Sequence, residues 1–352
     1  MKKEEKIKNF DPNAPGAGGN NIYGLPFTID ESEIVIIPVP WEVTVSYKAG
    51  TALAPEAIFD ASFQVDLFDP YVENAWKTGI AMEKVSPEMK RKNMALRKKA
   101  FRYIKMVEKG MNPRQNSIMK KIREEIDSNS FDLKNGLKKK SLFYLNQNKI
   151  AAVLGGDHST PLGLIEALSE KHENFGILHI DAHFDLRKAF EGFEYSHASI
   201  MFNALKLPQI KKLVSVGIRD YCQEEVDFIK TQKNRIIPFY HSEIERKKFE
   251  GQNWKSICKE ILSNLPGNVY ISFDIDGLDP KLCPNTGTPV PGGLEFEEAV
   301  YLVNELVNND KKIIGFDLNE VSPGKDSEWD ANVGARILYR LCNLTAKSNG
   351  KI

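Results

Sequence analysis

Three short motifs hold the residues able to do chemistry: GGDHST at Gly155–Thr160, HIDAHFDLR at His179–Arg187 and SFDIDGLDP at Ser272–Pro280. Each ends an apolar run abruptly in carboxylates or imidazoles, where an ordinary turn would carry Gly, Asn or Ser. Asp181, His183 and Asp185 alternate at a spacing of two, which in extended chain puts them on one side, and Asp274 and Asp276 repeat that spacing. With His158 they form a set of four Asp and two His that would repel and desolvate severely unless cations sat among them. Oxygen and nitrogen donors without sulfur suit a hard or borderline divalent ion. Six donors exceed what one catalytic ion with open positions needs, whereas two ions sharing bridging carboxylates fit the count. Taken singly, each motif has a plainer reading: Asp157 or Thr160 caps a helix starting near Pro161, DAHFD is a loop of capping aspartates, and DGLDP is turn chemistry. Three such motifs closing three apolar runs favour the metal reading.

These side chains need a scaffold that gathers distant strand ends. Short β-branched runs recur at Glu33–Pro38, Lys149–Leu154, Phe175–Ile180, Lys212–Ile218, Asn234–Pro238, Asn268–Phe273 and Lys312–Leu318, and read as strands buried on both faces. Helical stretches such as Pro161–His172, Glu224–Lys233, Trp254–Asn264 and Phe296–Asn308 lie between most of them. The alternation predicts an α/β fold with a mainly parallel sheet between helical layers, in which residues just past the strand C-termini meet in one crevice. Residues 83–140 break the rhythm: dense in Lys and Arg and without a strand, they read as a helical insertion whose charges form a solvated face. Residues 1–21, rich in Lys, Asn, Gly and Pro, read as a flexible N-terminal arm, leaving 22–352 as a single domain.

Composition bounds the function. The 352 residues carry 48 Lys+Arg against 48 Asp+Glu, so no net charge draws the chain to nucleic acid or an acidic membrane. No apolar run approaches the ~20 residues of a membrane span, and the N-terminal lysines precede no apolar stretch, so the expected setting is cytoplasmic. Cys222, Cys258, Cys283 and Cys342 are widely spaced without a C-x-x-C pair, and are expected to be reduced thiols.

In these motifs the sequence resembles the ureohydrolase superfamily of arginases, agmatinases and their relatives. The likeness extends from about Ile34 to Leu344 and includes Gly50–Ser62, Ser196-His197, Thr286–Pro289, Gly292–Leu294 and Asp317–Pro323. It implies a three-layer αβα fold, a binuclear manganese centre with nickel as the alternative, and hydrolysis of a guanidinium C–N bond to urea and an amine, or to ammonia if guanidine is the substrate. By the same resemblance His158, Asp181, Asp185 and Asp274 would hold one ion, and Asp181, His183, Asp274 and Asp276 the other. Asp185 would accept a proton, His197 near its ordinary pKa would exchange protons with water, and Glu320 would pair with the substrate guanidinium, with Thr288 adding a hydroxyl contact. A homo-oligomer, trimer or hexamer, is also implied.

Substrate choice rests on departures from that family. Where arginase-like members anchor α-carboxylate and α-amino groups with an Asn and a second Asp, this chain has Arg187 and Cys222, the latter in Arg219-Asp220-Tyr221-Cys222. L-Arginine is therefore disfavoured and agmatine, or guanidine stacked on Trp329, is expected. A formimidoylglutamate hydrolase using Arg187 for a carboxylate is the alternative. A catalytically silent metal-binding scaffold acting through the insertion is the alternative of another class.

Overall fold

The computed structural model describes residues 3–14, 16 and 21–352. Its frame is one parallel sheet of eight strands: β1 (Ile34–Val39), β2 (Ile80–Met82), β3 (Ile150–Gly155), β4 (Phe175–Ile180), β5 (Ile210–Ile218), β6 (Ile236–Tyr240), β7 (Asn268–Asp274) and β8 (Lys312–Asn319). Their spatial order is β2-β1-β3-β8-β7-β4-β5-β6. Seven of these match the β-branched runs to within a few residues. The eighth, β2, is a three-residue edge strand, too short for its Ile-Ala-Met sequence to show a period. Pro38 is tolerated in β1 because β2 pairs only as far as Ile36, so the missing N–H falls where that neighbour has ended. Pro238 lies in β6, at the other edge.

Eleven α-helices are described: α1 (Lys3–Asn9), α2 (Ala54–Ala61), α3 (Pro87–Glu108), α4 (Ser117–Leu145), α5 (Leu162–Ser169), α6 (Ile200–Ala204), α7 (Gln223–Thr231), α8 (His241–Phe249), α9 (Trp254–Leu262), α10 (Phe296–Asn308) and α11 (Trp329–Ser348). Strand side chains alternate between two apolar cores, as a period of two requires. Ile34, Ile36, Ile271 and Phe273 pack with α2, α9, α10 and α11 on one face. Val35, Ile37, Ile177 and Tyr270 pack with α3, α4, α5 and α6 on the other. This is the three-layer arrangement the alternation predicts.

The stretch 83–140, read as an insertion, forms α3 and most of α4. α3 buries Asn93, Leu96, Ala100, Tyr103 and Ile104, and α4 buries Met119, Ile122, Ile126 and Leu137, each a helical stripe that leaves most lysines facing outward. Several pair there with glutamates, as in Lys99–Glu125 and Lys90–Glu56. Within the stretch read as an arm, α1 rests on the body: Phe10 packs on Trp76 with ring centroids 5.1 Å apart, and Lys6 pairs with Glu31 at 2.7 Å. Residues 1, 2, 15 and 17–20 of that stretch lie outside the described residues. Neither Asp157 nor Thr160 caps α5: Asp157 closes a turn on Ser159, and Thr160 Oγ1 donates to Asn319 Oδ1 at 2.7 Å, tying β3 to β8.

Candidate metal centre

The four central strands β3, β8, β7 and β4 are neighbours, and the residues following each of them meet at one end of the sheet. His158 comes from beyond β3, Asp181, His183 and Asp185 from beyond β4, Asp274 and Asp276 from β7, and Glu320 from beyond β8. Strands far apart in sequence thus supply one crevice, at the carboxyl edge where open α/β sheets bind ligands.

His158 Nδ1 stands 3.0 Å from Asp181 Oδ2, 3.1 Å from Asp185 Oδ2 and 3.2 Å from Asp274 Oδ2. His183 Nδ1 stands 3.1 Å from Asp276 Oδ2 and 3.5 Å from Asp181 Oδ1. The two oxygens of Asp181 therefore face two different clusters, the geometry a bridging carboxylate needs. His158, His179, Asp181 and Asp185 can converge on one point, and Asp181, His183 and Asp276 on another. All of these acids are buried. Burial and the neighbouring charges of Asp276 and Asp181 push the Asp274 carboxyl well above its usual range, and burial with the Asp181 charge raises Asp185 to about 6. Burial alone would lower His158, but Asp181, Asp185 and Asp274 raise it well above its ordinary value. Burial alone would raise Asp181, but the histidines His179, His158 and His183 hold it well below the usual carboxylate range, while Asp274 and Asp185 are short of counter-charge. A buried set of O and N donors of this kind fits two divalent cations.

The surrounding bonds orient these groups. His158 Nε2 meets Ser272 Oγ at 2.8 Å, and Ser272 Oγ donates to Asp317 Oδ1 at 3.1 Å. His179 Nε2 meets Asp181 Oδ2 at 2.8 Å, with Ser215 Oγ on its other nitrogen. Arg219 spends its guanidinium on backbone carbonyls, including Asp276 O at 2.6 Å and Val290 O at 3.0 Å, which pins the loop after β7. Asp185 and Glu320 hold φ of +54° and +62°, left-handed values that cost energy in non-glycine residues and concentrate at functional sites.

A cavity of about 160 Å³ opens over the cluster, lined by His158, His183, Asp185, Asp274, Thr288 and Glu320 at its base. Ser46, Arg187, Phe190, His197, Asp220, Tyr221 and Glu225 complete it. Glu320 Oε1 accepts the His158 N–H at 2.9 Å, and burial together with the Asp157 charge raises its carboxyl well above the usual range. Thr288 Oγ1 donates to Asp276 Oδ2 at 3.2 Å. Arg187 lies over the Phe190 ring at 4.9 Å, with Nε 4.0 Å from Glu225. His197 differs from the expectation of an ordinary pKa: burial, then the charges of His183 and His158, lower it to about 3. Trp329 is not brought here. It stands half-exposed at the start of α11, its Nε1 donating to Lys281 O at 3.0 Å, and does not line the cavity.

Ser272 carried a signal, two residues before Asp274 on the same strand face; Ser46 and Phe190 carried none, because only the packing of their loops brings them to the cavity. All four cysteines are free thiols, three of them buried. No helix among the described residues is long and apolar enough to cross a membrane.

Residues 32–343 match the model of the arginase family. The N(1)-aminopropylagmatine ureohydrolase of Thermus thermophilus is 30% identical over 322 residues, 91% of this chain and 93% of that one. The agmatinase of Bacillus subtilis is 28% identical over 321 residues, 89% of this chain and 91% of that one. Among solved structures, an agmatine ureohydrolase of Thermoplasma volcanium shares the fold with a TM-score of 0.71 at 21% identity, covering 99% of each chain.

Proposed function

This chain belongs to the arginase family, and from that premise we propose that it is a binuclear-metal amidinohydrolase acting on a guanidino compound with an amine-bearing tail, of the agmatine class. The observation that carries the reading is the Asp181 carboxylate facing two donor clusters beneath a cavity that also presents Glu320. In this reading His158, Asp181, Asp185 and Asp274 would hold one ion, and Asp181, His183, Asp274 and Asp276 the other. Divalent ions bound there, Mn²⁺ or Ni²⁺, would lower the pKa of water so that hydroxide is available near neutral pH.

The protein's own groups do the rest. Glu320, fixed by the His158 amide, receives the guanidinium in a charge-assisted bond and holds its carbon over the cluster. Asp185 accepts a proton of the attacking water and passes it to the leaving nitrogen, which also gains the second water proton, so that guanidinium and water become urea and a protonated amine. His197, in the cavity wall and partly exposed, carries protons between the cavity and solvent. Thr288 holds Asp276 in register.

The cavity is well below the roughly 300–1,000 Å³ of drug-sized sites, which suits a small linear substrate. Asp220, mostly exposed, lines the cavity, so a distal ammonium meets a carboxylate there, whereas Glu225 is buried and spends its oxygens on the Leu186 and Cys222 N–H groups. This supports agmatine or its aminopropyl derivative, the substrates that the relatives' names give. With Trp329 outside the cavity, bare guanidine loses its stacking partner. A second reading has one observation in its favour: the partly exposed Arg187 guanidinium in the cavity wall would bind a carboxylate, as formimidoylglutamate requires.

The test is product release from agmatine, N(1)-aminopropylagmatine, guanidine, L-arginine and formimidoylglutamate after loading with Mn²⁺ or Ni²⁺. We expect kcat/KM for agmatine or its aminopropyl derivative to exceed that for L-arginine by at least roughly 10²-fold. Preference for formimidoylglutamate would move the assignment to the second reading, and preference for L-arginine would overturn the anchor argument.

A further inference from the structure

The helices α3 and α4 supply no group to the metal cluster, yet they hold both walls of the cavity above it. On one wall, the buried Asn93 of α3 accepts the Glu42 backbone N–H through Oδ1 at 2.8 Å. Glu42 Oε2 in turn accepts the N–H groups of Gly50 at 2.6 Å and Ala52 at 3.2 Å, closing the 42–52 loop that presents Ser46 to the cavity. On the other wall, Asp127 of α4 accepts the Glu194 N–H through Oδ1 at 3.0 Å. Tyr103 of α3 packs on Phe193 with centroids 4.9 Å apart, both rings fully buried, and Phe131 of α4 meets Tyr195 at 6.3 Å. A Cβ at Gly192 would come 2.7 Å from the Tyr103 hydroxyl oxygen, so the loop lies directly on the helix. This second wall carries Phe190 and His197.

We propose that the helical insertion is a clamp that fixes both walls of the cavity, with Asn93 and Asp127 as its positioning residues. The contacts stand on geometry alone; their catalytic consequence rests on the function proposed above. Loops beyond strand ends are the least constrained parts of a fold, and a misplacement near 1 Å costs up to about 10²-fold in rate. Here each wall has one side-chain acceptor from the insertion on a backbone N–H, and the wall bearing His197 adds two aromatic contacts. Most of the lysines that dominate the composition of this segment face away from the clamp; Lys134 lies over the Phe131 ring at 4.8 Å.

The test uses the full chain loaded with Mn²⁺ and follows hydrogen exchange in peptides spanning 42–52 and 190–197, alongside metal content and the kinetics of agmatine hydrolysis. Asp127 is only partly buried on a helix surface, so its truncation is compatible with folding. Asp127→Ala is expected to speed exchange in 190–197 and not in 42–52, and to lower kcat roughly 10- to 100-fold with KM and metal content little changed. Asp127→Asn keeps an acceptor oxygen and is expected to restore both readouts. Asn93→Ala should speed exchange in 42–52 and act mainly on KM. Wild-type exchange in Asp127→Ala, loosening spread over the whole chain, or no rescue by Asn would overturn the clamp. Should agmatine not be turned over by the wild type, the exchange pattern still decides the clamp, and only the substrate reading falls.

Discussion

Asp274 and His197 illustrate two ways in which a side chain at the site depends on its neighbours. Asp274 sits beside Asp181, Asp276 and His158, and in the proposed assignment it would serve two ions, so that its removal would unpair several buried charges. Asp274→Ala is expected to lose bound metal and activity together, as elemental analysis and urea release would show; two ions per chain with wild-type turnover would refute the bridging role. His197 touches the cavity and, in the proposed assignment, no ion. Burial and the charges of His183 and His158 lower its pKa, so the proposed proton transfer rests on its place in the cavity wall. His197→Asn is expected to reduce turnover by roughly 10²–10⁴-fold with metal content unchanged. Loss of metal in that variant would make it a ligand.

At the scale of elements, the site depends on how closely β7 approaches β4. Gly277 follows Asp276 where the chain leaves β7, and a Cβ there would stand 2.7 Å from the Asp181 nitrogen and 2.9 Å from the Ile180 carbonyl carbon. Both are backbone atoms that cannot swing aside. Gly277→Ala is therefore expected to force the two strand ends apart, with a cost of about 1–3 kcal/mol read as a lower Tm and a loss of metal stoichiometry. A variant with wild-type Tm and a full metal complement would show that the ends have slack. The same closeness lets the loop after β7 brace the loop after β4: Asp276 Oδ1 accepts the Ala182 N–H at 3.0 Å, and within the second loop Asp181 Oδ1 accepts the His183 N–H at 2.6 Å.

For the whole molecule, the cluster couples folding to metal and to pH. Asp274 and Glu320 have folded-state pKa values raised well above their unfolded ones, and so do His158 and His183. A raised group stabilises the fold when protonated and loses that contribution as pH rises through its folded value. His197 works in the opposite sense, since its pKa is lowered, and its contribution is complete above the unfolded value of about 6.5. From about pH 6.5 upward the metal-free protein should therefore lose stability. Bound cations supply the missing charge and should flatten that slope. Thermal unfolding from pH 6.5 to 9, with chelator and with Mn²⁺, measures the difference. Parallel curves would show that the cluster does not need the ions.

The sequence by itself determined the kind of chemistry and the frame that carries it. Apolar runs ending in acids and strand–helix alternation are local patterns that translate directly into a parallel sheet with donors at its strand ends. The spacing of two in DAHFD and DID, by contrast, does not lie in extended chain: 181–185 bend away beyond β4, with Asp185 left-handed, and Asp276 sits in the 3-10 turn Ile275–Gly277. The sequence also showed the lysines of the insertion as a solvated face. Tertiary structure alone decided what lies beside the ligands. It put Trp329 at the surface, since its position in the chain said nothing of the distance to the cavity, and it made Asp157 a turn closure. It lowered His197 far from its ordinary pKa, because burial and the charges of His158 and His183 depend on packing. It also turned the lysine-rich segment inward on its apolar side, so that Asn93 and Asp127, unremarkable in sequence, come to hold the cavity walls. Such contacts join residues from about fifty to seventy positions apart, beyond the reach of any local period.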